Sequence, residues 1–191
     1  MTATAIERRA APAEIMVGAA GKIAGYAAVF GTMSEDLGGF RETIAAGAFT
    51  RALAKRGSDP LALIGHRADQ IIGRRSAGTL RLSQDSKGLS FEIDVPNTTT
   101  GRDLAVMVER GDLRHASFAF SMPAGGSGEK WGHRDGITVR SLHDVEALHE
   151  VSIVSTPAYP DTEVARRSLE FLAANFPLRL GAVRRFLETV I

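Results

Sequence analysis

Ser117 stands in the run DLRHASFAFSM (residues 112–122), where small or polar side chains alternate with Phe118 and Phe120. Successive side chains of an extended strand point to opposite faces, so Ala116, Phe118 and Phe120 share one side and His115, Ser117, Ala119 and Ser121 the other. If the aromatics fill the core, Ser117 faces outward. A serine hydroxyl is a weak nucleophile at neutral pH; it needs a base within hydrogen-bond reach and a group that holds that base. His66 closes the apolar run DPLALIGH (59–66) and precedes a polar loop, a position where an imidazole can line a groove. Glu150, in ALHEVSIVS (147–155), can accept the second ring proton, fix the tautomer and stabilise the imidazolium formed during attack. Strand alternation sets His149, Val151 and Ile153 on one side and Leu148, Glu150, Ser152 and Val154 on the other. That favours a core-facing His149 and puts Glu150 on the side of Ser117, although Leu148 and Val154 break the pattern.

Types and spacing leave the bland reading open beside this one. A serine on the outer face of a strand is commonly just solvated, and a histidine or glutamate at a strand end is commonly just polar surface. Other chemistry has less support. His115, His133, His143 and His149 do not form HExxH or another compact ligand spacing, so no metal and no cofactor is expected. GGSGEKWG (125–132) lacks the lysine and Ser/Thr order of a phosphate loop and reads as a flexible hairpin. Asn97-Thr98-Thr99 reads as a turn, and Trp131 as a loop-packing aromatic.

The composition narrows the classes further. The chain has 191 residues, 44% of them hydrophobic, enough to bury one ordinary domain plus an arm or tail. Lys and Arg number 23 against 22 acidic residues, so no strong field points to nucleic acid or a membrane surface as partner. Cysteine is absent, which leaves serine or threonine for any side-chain nucleophile and fits a reducing cytoplasm. No run approaches the roughly 18–20 apolar residues of a membrane span, and the first residues do not read as a secretory signal.

The elements that must position these residues follow from periodicity. Residues 1–20, rich in alanine and threonine, read as a flexible arm or propeptide, and the folded domain is expected over 21–160. KIAGYAAVFG (22–31) predicts a buried strand, and ETIAAGAFTRALAKRG (42–57), with Ala45, Phe49, Ala52 and Leu53 at helical spacing, predicts a first helix. The alternating runs of TLRLSQDSKGLSFEIDV (79–95) around Lys87-Gly88 predict a hairpin. NTTTGRDLAVMVERGD (97–112) predicts a second helix, with Thr100 and Asp103 in capping-box relation and Leu104, Met107 and Val108 on one face. Strands follow over 113–122, from Ile137 after the Asp135-Gly136 turn, and over 147–155. Beyond Pro160 one or two amphipathic helices are expected, a separable helical tail over 161–191. Six or seven strands with two interposed helices predict an α+β fold, mainly antiparallel, in which a closed β-barrel is surrounded by helices.

GYAAVFG, IAAGAFTRAL, LALIGH, GLSFEIDV, HASFAFSM and HEVSIVSTPAYPDT, in that order, resemble the prohead protease family of tailed bacteriophages, the serine peptidases that process capsid proteins during head maturation. The resemblance spans roughly residues 21–165. It implies a barrel like that of the herpesvirus assemblins, Ser117 as nucleophile, His66 as base and Glu150 as third member. His149 is the alternative for that third role, because the herpesvirus relatives use a second histidine. The resemblance also implies the major capsid protein or a scaffold as substrate, trimming of the protease's own termini, possible self-association, and work inside the assembling procapsid in the host cytoplasm. Oxyanion donors are expected by analogy around residues 156–161. Two departures stand out: Ala46 replaces the usual proline before GAF, and Arg67 follows the histidine where an acidic residue and proline are more common. The alternative, from a different class, is a non-catalytic capsid-assembly module on the same barrel.

Overall fold

In a computed structural model, residues 5–11, 15–18 and 21–155 are described. Their chain order is β1 (Glu7–Ala11), β2 (Met16–Gly18), β3 (Lys22–Val29), β4 (Arg41–Ile44), α1 (Thr50–Ala54), β5 (Leu61–Ile64), β6 (Ile71–Arg74), β7 (Leu80–Gln84) and β8 (Gly88–Asp94), followed by α2 (Thr99–Glu109), β9 (His115–Ser121), β10 (Glu129–Arg134), β11 (Ile137–Leu142) and β12 (Ala147–Val154). A five-stranded sheet runs β1-β9-β12-β5-β6, a four-stranded sheet β2-β3-β8-β7, and a three-stranded sheet β10-β11-β4.

None of these sheets closes, so the expectation of a closed β-barrel within an α+β fold is corrected to an open, mostly β architecture of three sheets. Closure needs each edge strand to find a ladder partner. At one edge of the large sheet, β6 instead lies face-on against β8: a Cβ built on Gly73 would stand 3.2 Å from Ile93 Cγ2. At the other edge, β1 pairs only with β9. The layers meet through apolar side chains, with Phe118, Phe120, Val151 and Ile153 of the large sheet in one buried cluster with Ile23, Leu89, Phe91 and Ile93 of the four-stranded sheet. Phe118 packs edge-on against Phe49 at 5.5 Å and stacks with Phe120 at 5.2 Å between ring centroids.

Local chemistry sets most elements. In the 80–94 hairpin, Leu80 faces Ile93 and Leu82 faces Phe91, while Asp85 Oδ1 accepts from the amides of Lys87 and Gly88 to hold the turn. Asp135 and Gly136 take φ values of 51° and 79°, the pair a two-residue hairpin turn requires, and join β10 to β11. Thr98 rather than Thr100 caps α2, accepting from the Gly101 amide at 3.1 Å. The first helix is shorter than expected: only Thr50–Ala54 is helical, and Arg41–Ile44 is a strand whose Glu42 and Ile44 are buried. Pairing with β11 overrides the helical spacing there. Ile71–Arg74 and Glu129–Arg134, to which periodicity assigned no strand, are strands. Within residues 1–20, read as an irregular arm, Glu7–Ala11 and Met16–Gly18 are strands too. The expected helical tail lies outside the described residues.

Candidate active site

Ser117, His66 and Glu150 all come from the five-stranded sheet. Ser117 is near the middle of β9, and its neighbour across the ladder on β12 is Ser152. Residues directly opposite in an antiparallel pair point to the same face, so the Ser117 and Ser152 side chains share one. Glu150, two residues before Ser152, shares it as well.

A bulge between Leu148 and Glu150 explains why simple alternation was imperfect on this strand. One extra residue shifts the parity, so Leu148, Val151 and Ile153 all reach the apolar core. His149 sits in the bulge and hydrogen-bonds through Nε2 to the Ser121 hydroxyl at 3.2 Å, away from His66. Burial and the positive charge of Lys55 hold its imidazole below the ordinary histidine range despite the opposing pull of Glu150.

His66 reaches this face because the chain turns sharply after β5. Gly65 and His66 take φ values of 60° and 61°, two successive left-handed residues. That conformation costs a non-glycine residue about 1–2 kcal/mol, a cost that must be offset by contacts made elsewhere. The contact is with Glu150: His66 Nδ1 meets Glu150 Oε1 in a very short hydrogen bond. With the proton on Nδ1 directed to the carboxylate, Nε2 carries the free lone pair of a base. That Nε2 is buried and has no hydrogen-bond partner. The Ser152 hydroxyl on the same face is also buried without one. Orphaned polar groups cost about 1–3 kcal/mol each and are rare in folded interiors. Arg67, on the turn beyond His66, is paired with Asp69 at 2.8 Å.

Ser117 differs from its expected exposure: it is 0% exposed. Its hydroxyl donates to the backbone carbonyl of Arg9 on β1 at 2.9 Å, and no hydrogen bond joins it to His66. Arg9 pairs across the ladder with Phe118 and Ala10 with Ser117. Arg8, on the Ser117 face of β1, lies 3.7 Å from Glu150 Oε1 through its Nε.

The other face of β1 enters a buried charge cluster that sequence reading missed. Arg9 grips Glu42 of β4 with two hydrogen bonds, from Nε at 2.8 Å and from a terminal nitrogen at 3.0 Å, and also donates to Glu7 at 2.8 Å. Arg140 of β11 donates to Glu7 at 2.5 Å, to Glu42 at 3.0 Å and to Glu129 of β10 at 2.5 Å. Each strand of the small sheet thus supplies one charge. The available signal was Glu7 and Arg9 at strand spacing, which has no meaning until the fold brings Glu42 and Arg140 beside them.

Among the described residues no group of three His, Asp or Glu side chains is placed to hold a metal ion, and no helix is long and apolar enough to cross a membrane. The loop expected to carry oxyanion donors, residues 156–161, lies outside the described residues. Comparison with curated proteins and with solved structures gave no match. The sequence profile of the caudovirus prohead serine proteases matches residues 7–174, taking in β1, the small sheet and every strand of the large one. A match over most of its length, on a chain whose large sheet joins a serine-bearing strand to a histidine–carboxylate pair, makes this protein a member of the caudovirus prohead serine protease family.

Proposed function

We propose that Ser117 is the nucleophile, His66 the general base and Glu150 the residue that orients it, in a serine endopeptidase that cuts capsid or scaffold proteins in the assembling procapsid within the host cytoplasm. Family membership supplies the coarser statement, a serine protease of prohead maturation. The observation that carries the finer one is the His66–Glu150 hydrogen bond, made on the face of the sheet that also bears Ser117. It fixes the imidazole with Nε2 as acceptor, the tautomer a base needs. Ser117 Oγ attacks the peptide carbonyl as His66 takes its proton; the imidazolium, steadied by Glu150, then protonates the leaving amine. Water releases the acyl group by the same steps in reverse order. Glu150 suits the third role better than His149, whose ring is turned to Ser121.

Co-expression with the cognate capsid protein tests this reading. Site-specific trimming of the capsid protein is expected from the wild type and none from Ser117→Ala. Unchanged trimming by Ser117→Ala removes Ser117 as nucleophile, and absence of trimming by a folded wild type favours the non-catalytic assembly module. Intact masses of the same two proteins show whether the protease also cuts its own termini.

A further inference from the structure

We propose that β1 occupies the substrate's place: the peptide to be cut adds to β9 as an antiparallel strand where β1 now lies, with a cationic side chain held by Glu42. This rests on Ser117 being the nucleophile. Three observations lead to it.

The first is register. The carbonyl that meets the Ser117 hydroxyl belongs to Arg9, in a strand running antiparallel to β9. An added strand in this register presents one peptide carbonyl to Ser117, and strand addition to a sheet edge is a common mode of peptide recognition. The arrangement is also unproductive: the hydroxyl spends its proton on the carbonyl oxygen, while His66 Nε2 stays unpaired. β1 therefore blocks the site as it marks it.

The second is how β1 is held. None of Glu7, Arg8, Arg9 and Ala10 belongs to the apolar core, and Ile6 just before the strand is 50% exposed. Its attachment is a backbone ladder to one strand, ion pairs and the Arg9 guanidinium over the Phe120 ring at 5.7 Å, mostly polar contacts that an incoming strand with a cationic side chain can reproduce.

The third is the pocket. Glu42 is 3% exposed and receives the Arg9 guanidinium side-on, its two oxygens accepting from Nε and one terminal nitrogen. Without β1 the cluster keeps Glu42, Glu129 and Arg140, two carboxylates against one guanidinium, a net single negative charge in a buried place. Such a pocket accepts a cation and rejects an anion. The preferred substrate then carries arginine or lysine on the residue whose carbonyl meets Ser117, and Glu42 sets that preference.

The test uses the full chain carrying Ser117→Ala, which prevents turnover, and Arg9→Glu, which sets a carboxylate against Glu42 and loosens β1. The probes are two fluorescein-labelled peptides: AIERRAAP, the sequence of residues 5–12, and its counterpart carrying R9E. Fluorescence anisotropy is expected to show the first binding at least about tenfold more tightly. Adding Glu42→Gln to the host is expected to reduce that preference below about threefold. Equal binding of the two peptides, binding unaffected by Glu42→Gln, or no binding to a host that circular dichroism shows to be folded overturns the proposal. If the host unfolds, the neutral Arg9→Met replaces Arg9→Glu; unfolding of that chain as well makes β1 a structural strand and overturns the proposal too. Because the host lacks the Ser117 hydroxyl, binding reads strand addition alone. Capsid trimming that survives Ser117→Ala therefore breaks the catalytic reading without altering the anisotropy result.

Discussion

On one side of β9, β12 sends Leu148, Val151 and Ile153 into the apolar core and carries Glu150 on the opposite face. On the other side, β1 sends Glu7 and Arg9 into a charged cluster and lays a carbonyl against Ser117. Both strands pair antiparallel with β9, β12 along seven of its residues and β1 along five. They differ in what removal costs: burying each large apolar side chain stabilises the fold by about 1.5–3 kcal/mol, whereas a buried ion pair roughly offsets its own desolvation. A strand attached by apolar burial fixes the geometry of a site, and one attached by charge can guard it.

The largest expected effect lies on the β12 side. Glu150→Gln removes the negative charge and breaks the preference for the Nδ1–H tautomer, and kcat/KM for capsid cleavage is expected to fall about 10,000-fold with the fold intact. His149→Ala, in the bulge, is expected to cost less than about tenfold. The reverse order would mean that the bulge presents His149 rather than Glu150 to the base.

Next is stability. Phe118→Ala empties a fully buried site between Phe49 and Phe120 and is expected to cost about 3–5 kcal/mol in urea unfolding. Arg9→Met breaks the grip on Glu42 but leaves Arg140 beside that carboxylate, so it is expected to cost about 1.5–3 kcal/mol. A cost for Arg9→Met as large as that of Phe118→Ala would erase the distinction between the flanks.

The smallest effect is one of pH. Burial pushes the Glu7 carboxyl up, but the hydrogen bond and charge of Arg140, with the charge of Arg9, outweigh it and hold the group below the ordinary glutamate value. A carboxylate lowered on folding stabilises the protein above its unfolded pKa, and that contribution is lost as pH falls through the folded value. The stability gap between wild type and Glu7→Gln is therefore expected to be constant from about pH 7 to pH 5 and to shrink below about pH 4. A gap that instead shrinks near neutrality would detach Glu7 from its two arginines.

Much of the local structure was legible in the sequence. The 80–94 hairpin follows from Leu80, Leu82, Phe91 and Ile93 at strand spacing, and α2 from Leu104 and Val108 on one face. What failed depends on partners distant in sequence. Arg41–Ile44 is a strand because β11 pairs with it, and the barrel was inferred from strand number, whereas closure depends on edges such as β6 that pack rather than pair. Of the site, the residue types were readable. Alternation also put Glu150 on Ser117's face; the bulge that brings Leu148 into the core beside Val151 and the positive φ of His66 were not readable, since both are set by the sheet. Least legible was β1, polar enough to pass for an arm, which makes sense only beside Glu42 and Arg140.

A Ser117 nucleophile guarded by β1 has a reactivity that depends on β1. A fluorophosphonate probe is added to the wild type and to Arg9→Glu, and the modified residue and its rate of labelling are read by peptide mass spectrometry. An adduct on Ser117 is expected, forming at least about tenfold faster in Arg9→Glu, because labelling requires the population in which β1 is displaced. An adduct on Ser152 or another serine, or equal rates in the two proteins, would contradict this reading.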